Sequence, residues 1–267
     1  MLNTFSLLTY NCFGLWLPGT KQRLLTLSQQ LEKSPYHVVC LQEIQLHSYR
    51  DLLVKSCPGF LYSYSERYIH CPKGGLLTLS RFPIESNAFV PYQERGSWYT
   101  PMLADRLFYK GMLITELAWG NIPVVIFNTH ILANFAGDWT RHGMYAGVEE
   151  KQLEQLAKAV RAQSADSLIL VVGDFNIPRG SWLYENFLTR SGLTDPLAKD
   201  LRPTLRAPAG IKSYYSLAID YILVRLPHEH ALNIHCDLCL SSKYSISNGH
   251  QGYLSDHNGI EIQITKV

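Results

Sequence analysis

The stretch "LILVVGDFNIPRG", residues 168–180, decides how the rest of the chain is read. Five apolar residues, Leu168 to Val172, run unbroken into Gly173, and then come a carboxylate, Asp174, and a carboxamide, Asn176. An apolar run of this length bounded by turn residues fits a strand buried on both faces. Pro178 keeps a helix from starting smoothly behind it. In extended chain alternate residues share a face. Asp174 and Asn176 should therefore point the same way, with Phe175 packed behind them.

Working outward, the same ending recurs. "LLTYN" ends in Asn11, "VVCLQE" in Glu43 and "VVIFNTH" in His130. "AIDYIL" sets Asp220 among apolar neighbours, and "YLSDHNGIEI" puts Asp256 and His257 at a strand's entrance. One such residue is ordinarily a turn former or a cap. Together they ask for another explanation, because carboxylates beside apolar strands must be paired, hydrogen-bonded or bound to metal. The economical one is that the strand ends converge on one polar centre. Its groups are oxygen donors and imidazoles without thiolate, which favours hard cations such as Mg2+, Mn2+ or Ca2+. A hard cation, carboxylates and two histidines suit hydrolysis of a phosphate ester. No Gly-x-Ser-x-Gly elbow and no Walker A loop occurs in the sequence.

Apolar runs alternate with segments of helical period. Strands are expected at "FSLLTYNC", "HVVCLQE", "GLLTLSR", "GMLITELAW", "IPVVIFNTH", "SLILVVGDFN", "AIDYILVR" and "NGIEIQITKV". Helices are expected at "TKQRLLTLSQQLEKS", with Leu24, Leu27 and Leu31 on one face and Thr20 as the cap, near residues 46–56, and at 145–163. Residues 88–105 and 200–216 have no clear period and read as surface loops. So many strands with so few helices do not fit a singly alternating βαβ fold; two packed sheets flanked by helices fit better.

The 267 residues are 46% hydrophobic and 17% charged, a globular composition, and are read as one domain, 1–267. A formal net charge of +2 does not announce nucleic acid. No apolar run reaches the roughly 20 residues that span a bilayer. "MLNTFSLLTYNC" lacks a basic n-region and a small-residue cleavage site, so the expectation is a cytoplasmic protein that meets a membrane peripherally if at all. The six cysteines follow no disulfide spacing. "HCDLC" contains Cys-x-x-Cys, but no second Cys pair or His-x-x-x-His follows to complete a zinc site.

The pieces "TYNCFGL", "LQE", "GLLTLSRFPI", "NTH", "GDFN", "IDYIL" and "SDHNG", in that order from Tyr10 to Gly259, resemble the endonuclease/exonuclease/phosphatase superfamily, which includes pancreatic-type deoxyribonuclease. The resemblance implies an α/β four-layer sandwich of two mixed β-sheets flanked by helices. It implies that Glu43 is the principal metal ligand with Asn11 beside it, and that the cation is Mg2+, with Mn2+ as a substitute. Asp174 would orient or deprotonate the attacking water, and Asn176 would position the phosphate. Asp256 would lie near the metal, His257 would contact the scissile phosphate with Asp220 as its carboxylate partner, and His130 would be the second phosphate-contacting histidine.

Two stretches lean toward the neutral sphingomyelinase branch. "GLLTLSRFPI" is close to that branch's pattern. In "ADRLFYKGML", Asp105, Lys110 and Gly111 resemble an Asp and a Lys-Gly that help organise the sphingomyelinase site. Tyr92, Trp98, Tyr99 and Met102 fall in "VPYQERGSWYTPML", where aromatics on an exposed loop would seat the protein at a lipid interface. The resemblance thus implies a Mg2+-dependent phosphodiesterase of sphingomyelinase or phospholipase C type, its partner a lipid head group at a membrane surface. The alternatives are a metal-dependent nuclease or DNA-repair phosphodiesterase on the same scaffold, and a catalytically silent binding module. No protein partner is inferred.

Overall fold

The computed structural model describes residues 3–96, 102–206, 216–247 and 250–267, with residues 103–105 and 247 described by backbone alone. Two sheets organise them. One has six strands, β1 (Thr4–Gly14), β2 (Val38–Ile44), β3 (Tyr62–Tyr64), β4 (Leu77–Ser80), β10 (Leu232–Cys239) and β13 (Gly259–Lys266), in the order β10-β13-β1-β2-β4-β3. The other has five, β5 (Ser86–Pro91), β6 (Gly111–Trp119), β7 (Ile122–His130), β8 (Leu168–Asp174) and β9 (Asp220–Arg225), in chain order. Both are mixed: β1 and β2 run parallel, as do β7 and β8, and the other pairs are antiparallel. A small hairpin, β11 (Tyr244–Ser247) and β12 (His250–Gly252), stands apart.

The period of two in each central strand builds the layers. On β1, Phe5 and Leu7 meet Val124, Ile126, Leu168, Leu170 and Val172 of the second sheet in one core. Leu8, Tyr10 and Cys12 turn the other way, onto helices α1 (Thr20–Glu32) and α2 (His47–Ser56). On β8, Ile169 and Val171 turn outward onto α4 (Met144–Arg161) and α5 (Trp182–Ser191). The result is helices, sheet, sheet, helices, the four-layer α/β sandwich expected. Each fully buried Leu, Ile or Val in these cores contributes roughly 1.5–3 kcal/mol.

Several local expectations need correction. Residues 88–105 are not a continuous loop: 86–91 form edge strand β5, and a short helix, α3, spans Met102–Leu107. Thr20 does not cap α1; the cap position is Gly19, left-handed at φ 86°, and the Thr20 hydroxyl donates to Leu15 O at 2.8 Å. The Cys-x-x-Cys lies on β10, where a spacing of three puts the two thiols on opposite faces. Cys236 packs into the core between the sheets and Cys239 against the α1/α2 layer, so they do not form a metal pair.

Candidate active site

The parity that builds the sandwich also aims its polar residues. Asn11 follows Phe5 and Leu7 on the inter-sheet face of β1. Asp174 follows Leu168, Leu170 and Val172 on that face of β8, His130 follows Val124 and Ile126 on β7, and Asp220 precedes Ile222 and Val224 on β9. Strand register then sets three of them in a row, His130 beside Asp174 and Asp174 beside Asp220. All four are buried, Asn11 near the end of its strand and the other three at a strand terminus.

Glu43 reaches the cleft by another route. Val38 and Cys40 face the second sheet, so strict alternation would send Glu43 toward the helices. Its backbone is left-handed instead, at φ 60°, and the β1–β2 register shifts between Asn11 and Gly14. That bulge re-aims the side chain, and Asn11 Nδ2 donates to Glu43 Oε1 at 3.1 Å. Gly14 permits the close approach: a Cβ there would stand 2.2 Å from the Glu43 carbonyl oxygen.

Asn176 departs from the strand-alternation expectation. β8 ends at Asp174, and Asn176 is left-handed at φ 54°. Its N–H donates to Asp174 Oδ1 at 2.9 Å and its Nδ2 to Ile131 O at 3.0 Å. Phe175 does pack behind, in the core under α5.

These residues converge. Asn11 Nδ2 also donates to Asp174 Oδ2 at 2.9 Å. His130 Nε2 lies 3.5 Å, and His257 Nε2 3.8 Å, from that same oxygen. His257 Nδ1 bonds Asp220 Oδ2 at 2.8 Å. Lys110, buried just before β6, donates Nζ to Ile131 O at 2.8 Å. Glu43, Lys110, His130, Asp174, Asn176, Asp256 and His257 line one cavity of about 340 Å3. The side chain of Asp105 lies outside the described residues, as do Trp98 and Tyr99. Tyr92 and Met102 are not exposed aromatic and apolar contacts as expected. Both are fully buried, and the Tyr92 hydroxyl bonds Thr129 Oγ1 at 2.6 Å.

The electrostatics split the histidines. Burial opposes a charge on His257, but the carboxylates of Asp220 and Asp174 outweigh it and raise its pKa to about 10. Burial lowers His130 well below the usual histidine value, with Lys110 and His257 adding to the effect, so this ring is neutral. Burial, then the neighbouring Asp220, pushes the Asp174 carboxyl up to about 7. Burial also raises Glu43, against the Asn11 hydrogen bond.

A divalent cation suits this donor set. Single donor atoms of Glu43, His130 and Asp174 lie within 4.8 Å of one another. Four carboxylates (Glu43, Asp174, Asp220, Asp256) face two cationic groups, Lys110 and the charged His257. The site therefore gathers more carboxyl groups than cationic ones, and a bound cation would favour the ionised form of Glu43 and Asp174 against their burial. Asn11 turns its amide nitrogen to both carboxylates and its oxygen to the Phe13 N–H, so it orients Glu43 and Asp174.

Sequence reasoning missed the layer beneath. Gln42 Nε2 donates to Thr9 Oγ1 at 3.0 Å and to Asn128 Oδ1 at 2.8 Å, and Asn128 Nδ2 reaches Leu41 O and Leu77 O. This fully buried network ties the two sheets together directly under the site. Its signal was in view: an amide near the end of each apolar strand, on the face that carries Asn11 and His130. Arg206 was missed too. It donates to Ser255 O at 2.7 Å and His257 O at 2.9 Å, holding the loop that carries His257. No local pattern marks it.

A sequence model of the Endonuclease/Exonuclease/phosphatase family matches residues 8–257. The inositol phosphosphingolipids phospholipase C of Saccharomyces cerevisiae is 32% identical over 170 residues, 61% of this chain and 34% of that protein. The chain spans less than half the length of the curated relatives it matches. The crystal structure of sphingomyelinase C from Streptomyces griseocarneus superposes with a TM-score of 0.73 over 97% of this chain and 99% of that one, at 20% identity. That of D. rerio TDP2 complexed with a single-strand DNA product gives 0.75 over 98% and 99%, at 17% identity.

Proposed function

The chain belongs to the endonuclease/exonuclease/phosphatase family, and from that premise we propose that it is a divalent-metal-dependent phosphodiesterase acting on a lipid phosphodiester at a membrane surface, of the sphingomyelinase or phospholipase C type. Glu43 would hold the cation, Mg2+ or Mn2+, with Asn11 orienting it and Asp256 nearby. When bound, the cation neutralises phosphate charge and stabilises the charge that develops on the leaving oxygen.

The chain's own groups do the rest. Asp174, with a pKa near 7, is poised to accept a proton from the attacking water. The His257 imidazolium binds a phosphate oxygen, and Asp220 fixes its ring through Nδ1. His130, neutral, presents one ring N–H to the phosphate. Asn176 positions a further oxygen from its left-handed turn. Lys110 holds the backbone next to His130 through Ile131 O.

One observation carries the lipid reading: exposed apolar side chains at the mouth of the cavity. Leu15, Phe108 and Phe135 line it. Their neighbours Trp16 and Leu107 are 84% and 56% exposed, and Phe135 itself is 59% exposed. An apolar rim around a phosphodiester site suits substrate drawn from a bilayer, whereas duplex-binding enzymes carry a marked basic face. The test is a substrate panel of sphingomyelin and phosphatidylcholine vesicles, supercoiled DNA and soluble inositol phosphates, each with Mg2+ and with EDTA. Mg2+-dependent release of a phosphorylated head group from vesicles is expected. Efficient DNA cleavage with no lipid hydrolysis would establish the nuclease reading instead.

A further inference from the structure

Glu149 has no part in the chemistry above, yet it is fully buried on the inner face of α4. Its Oε2 accepts from Asn134 Nδ2 at 3.3 Å, and its Oε1 has no hydrogen-bond partner. The Asn134 carboxamide is in the matching position: its Nδ2 is used, and its buried Oδ1 has no partner either. Two orphaned acceptors on side chains that already share one hydrogen bond are costly if both remain acceptors. A single proton on Glu149 removes the difficulty, because Oε1 becomes a donor to Asn134 Oδ1 and the acid and the amide pair reciprocally.

The segment this pair would hold matters to the site. Residues 131–139 form the first part of the connection from the strand end at His130 to α4. Within them Ala133 and Phe135 line the cavity, and Trp139 Nε1 donates to the carbonyl of Asn176 at 3.0 Å. Phe135, Asn176 and Asp256 also border an adjoining cavity of about 410 Å3 whose walls include Trp139 and Leu217. The far side of the segment is pinned by Leu132 N–H on Gln152 Oε1 at 2.9 Å.

We propose that Glu149 is a positioning residue: as a neutral acid it pairs with Asn134 and locks residues 131–139 against Asn176, and on ionising it releases that wall of the site. The inference rests on the catalytic reading of the cavity. Burial supports it, raising the Glu149 carboxyl to about 8 against the opposing influence of Asn134, Trp139 and Lys110. Other charged groups on the surrounding elements are engaged elsewhere. Asp138 bonds Thr140 N, Lys151 pairs with Glu94, and Glu150 accepts from Asn186. The acid form is present below that value, so the lock is closed at neutral pH and opens as pH rises through about 8.

Infrared difference titration of the whole protein tests the protonation without any substrate. A protonated-carboxyl band should be present at pH 7, fade through about pH 8, and be missing in Glu149→Gln. In Asn134→Ala the band should shift in frequency. A pH–rate profile on the phosphodiester substrate tests the positioning. The wild-type rate should fall about fivefold or more through pH 8, chiefly in KM. Glu149→Gln, a permanently neutral pair for Asn134, should keep the neutral-pH rate within about threefold and lose that fall. Glu149→Ala should raise KM at every pH. A band unchanged in Glu149→Gln would overturn the proposal, and so would an alkaline fall that persists in that variant. If no substrate is turned over, the infrared result still stands on its own, and the catalytic reading is what has failed.

Discussion

His257 Nδ1 bonds Asp220 Oδ2 at 2.8 Å in a setting that buries both groups, so neither acts alone. The raised value of His257, about 10, means the imidazolium is present below that pH and is lost as pH rises through it. Any phosphate contact it makes should follow. Asp220→Asn removes the main charge that sustains it, so the alkaline limit of activity should move to lower pH, as a pH–rate profile would reveal. Asp220→Asn and His257→Ala should each be crippled, and the double variant little worse than the poorer single; additive losses would dissolve the pair. Glu43→Gln keeps the size of the side chain and its bond from Asn11 but removes the charge that would hold a cation. Turnover should drop at least about a hundredfold, and the Mg2+ concentration needed for half-maximal rate should rise. Full wild-type turnover in excess EDTA would end the metal reading.

Within the elements, the β1–β2 pair holds the least expected feature. Glu43 faces the cleft only because its φ of 60° reverses the strand's alternation, and Gly14 leaves room for the carbonyl that this reversal displaces. Gly14→Ala brings a Cβ to 2.2 Å from that oxygen, which backbone movement must relieve. A loss of about 1–3 kcal/mol of stability in denaturant unfolding is expected, with a larger proportional loss of activity as Glu43 is displaced. A variant with wild-type stability and turnover would mean that the bulge is not needed. Helix α5 teaches the opposite lesson. Ser181 caps its start, accepting from Tyr184 N–H at 3.3 Å, and left-handed Gly192 ends it. Both signals stand in the sequence as a Ser and a Gly around an apolar period, so this helix was legible though unread. Strands β3, β11 and β12 were not, because each is three or four residues long and its side chains are partly exposed, too short for alternation to register.

For the molecule as a whole, function depends on which surface meets the substrate. If the rim of the cavity docks on a bilayer, Trp16→Ala and Leu107→Ala should lower activity on vesicles roughly five- to a hundredfold, the scale of an aromatic or aliphatic side chain withdrawn from an interface. Both should leave a soluble phosphodiester within about twofold; equal losses on the two substrates would remove the docking role. The sequence points to residues 92–102 for such a surface; of the four residues named there, Trp98 and Tyr99 lie outside the described residues. Tyr92 and Met102 are buried, while Trp16 and Leu107 are exposed and adjoin in sequence the cavity-lining Leu15 and Phe108. What the sequence determined by itself was everything that alternation and short-range order encode. That covers the central strands, the two-sheet class, and the polar residue ending each strand, since a buried run of period two fixes which residues share a face. What only the tertiary structure decided was convergence. The row His130, Asp174, Asp220 depends on strand register, the turn of Glu43 on a bulge, and the Gln42–Asn128 tie and the Glu149–Asn134 pair on contacts across layers. Such contacts join residues from 15 to 86 positions apart, and no local physical rule acts over that separation; they exist once the layers have packed on each other.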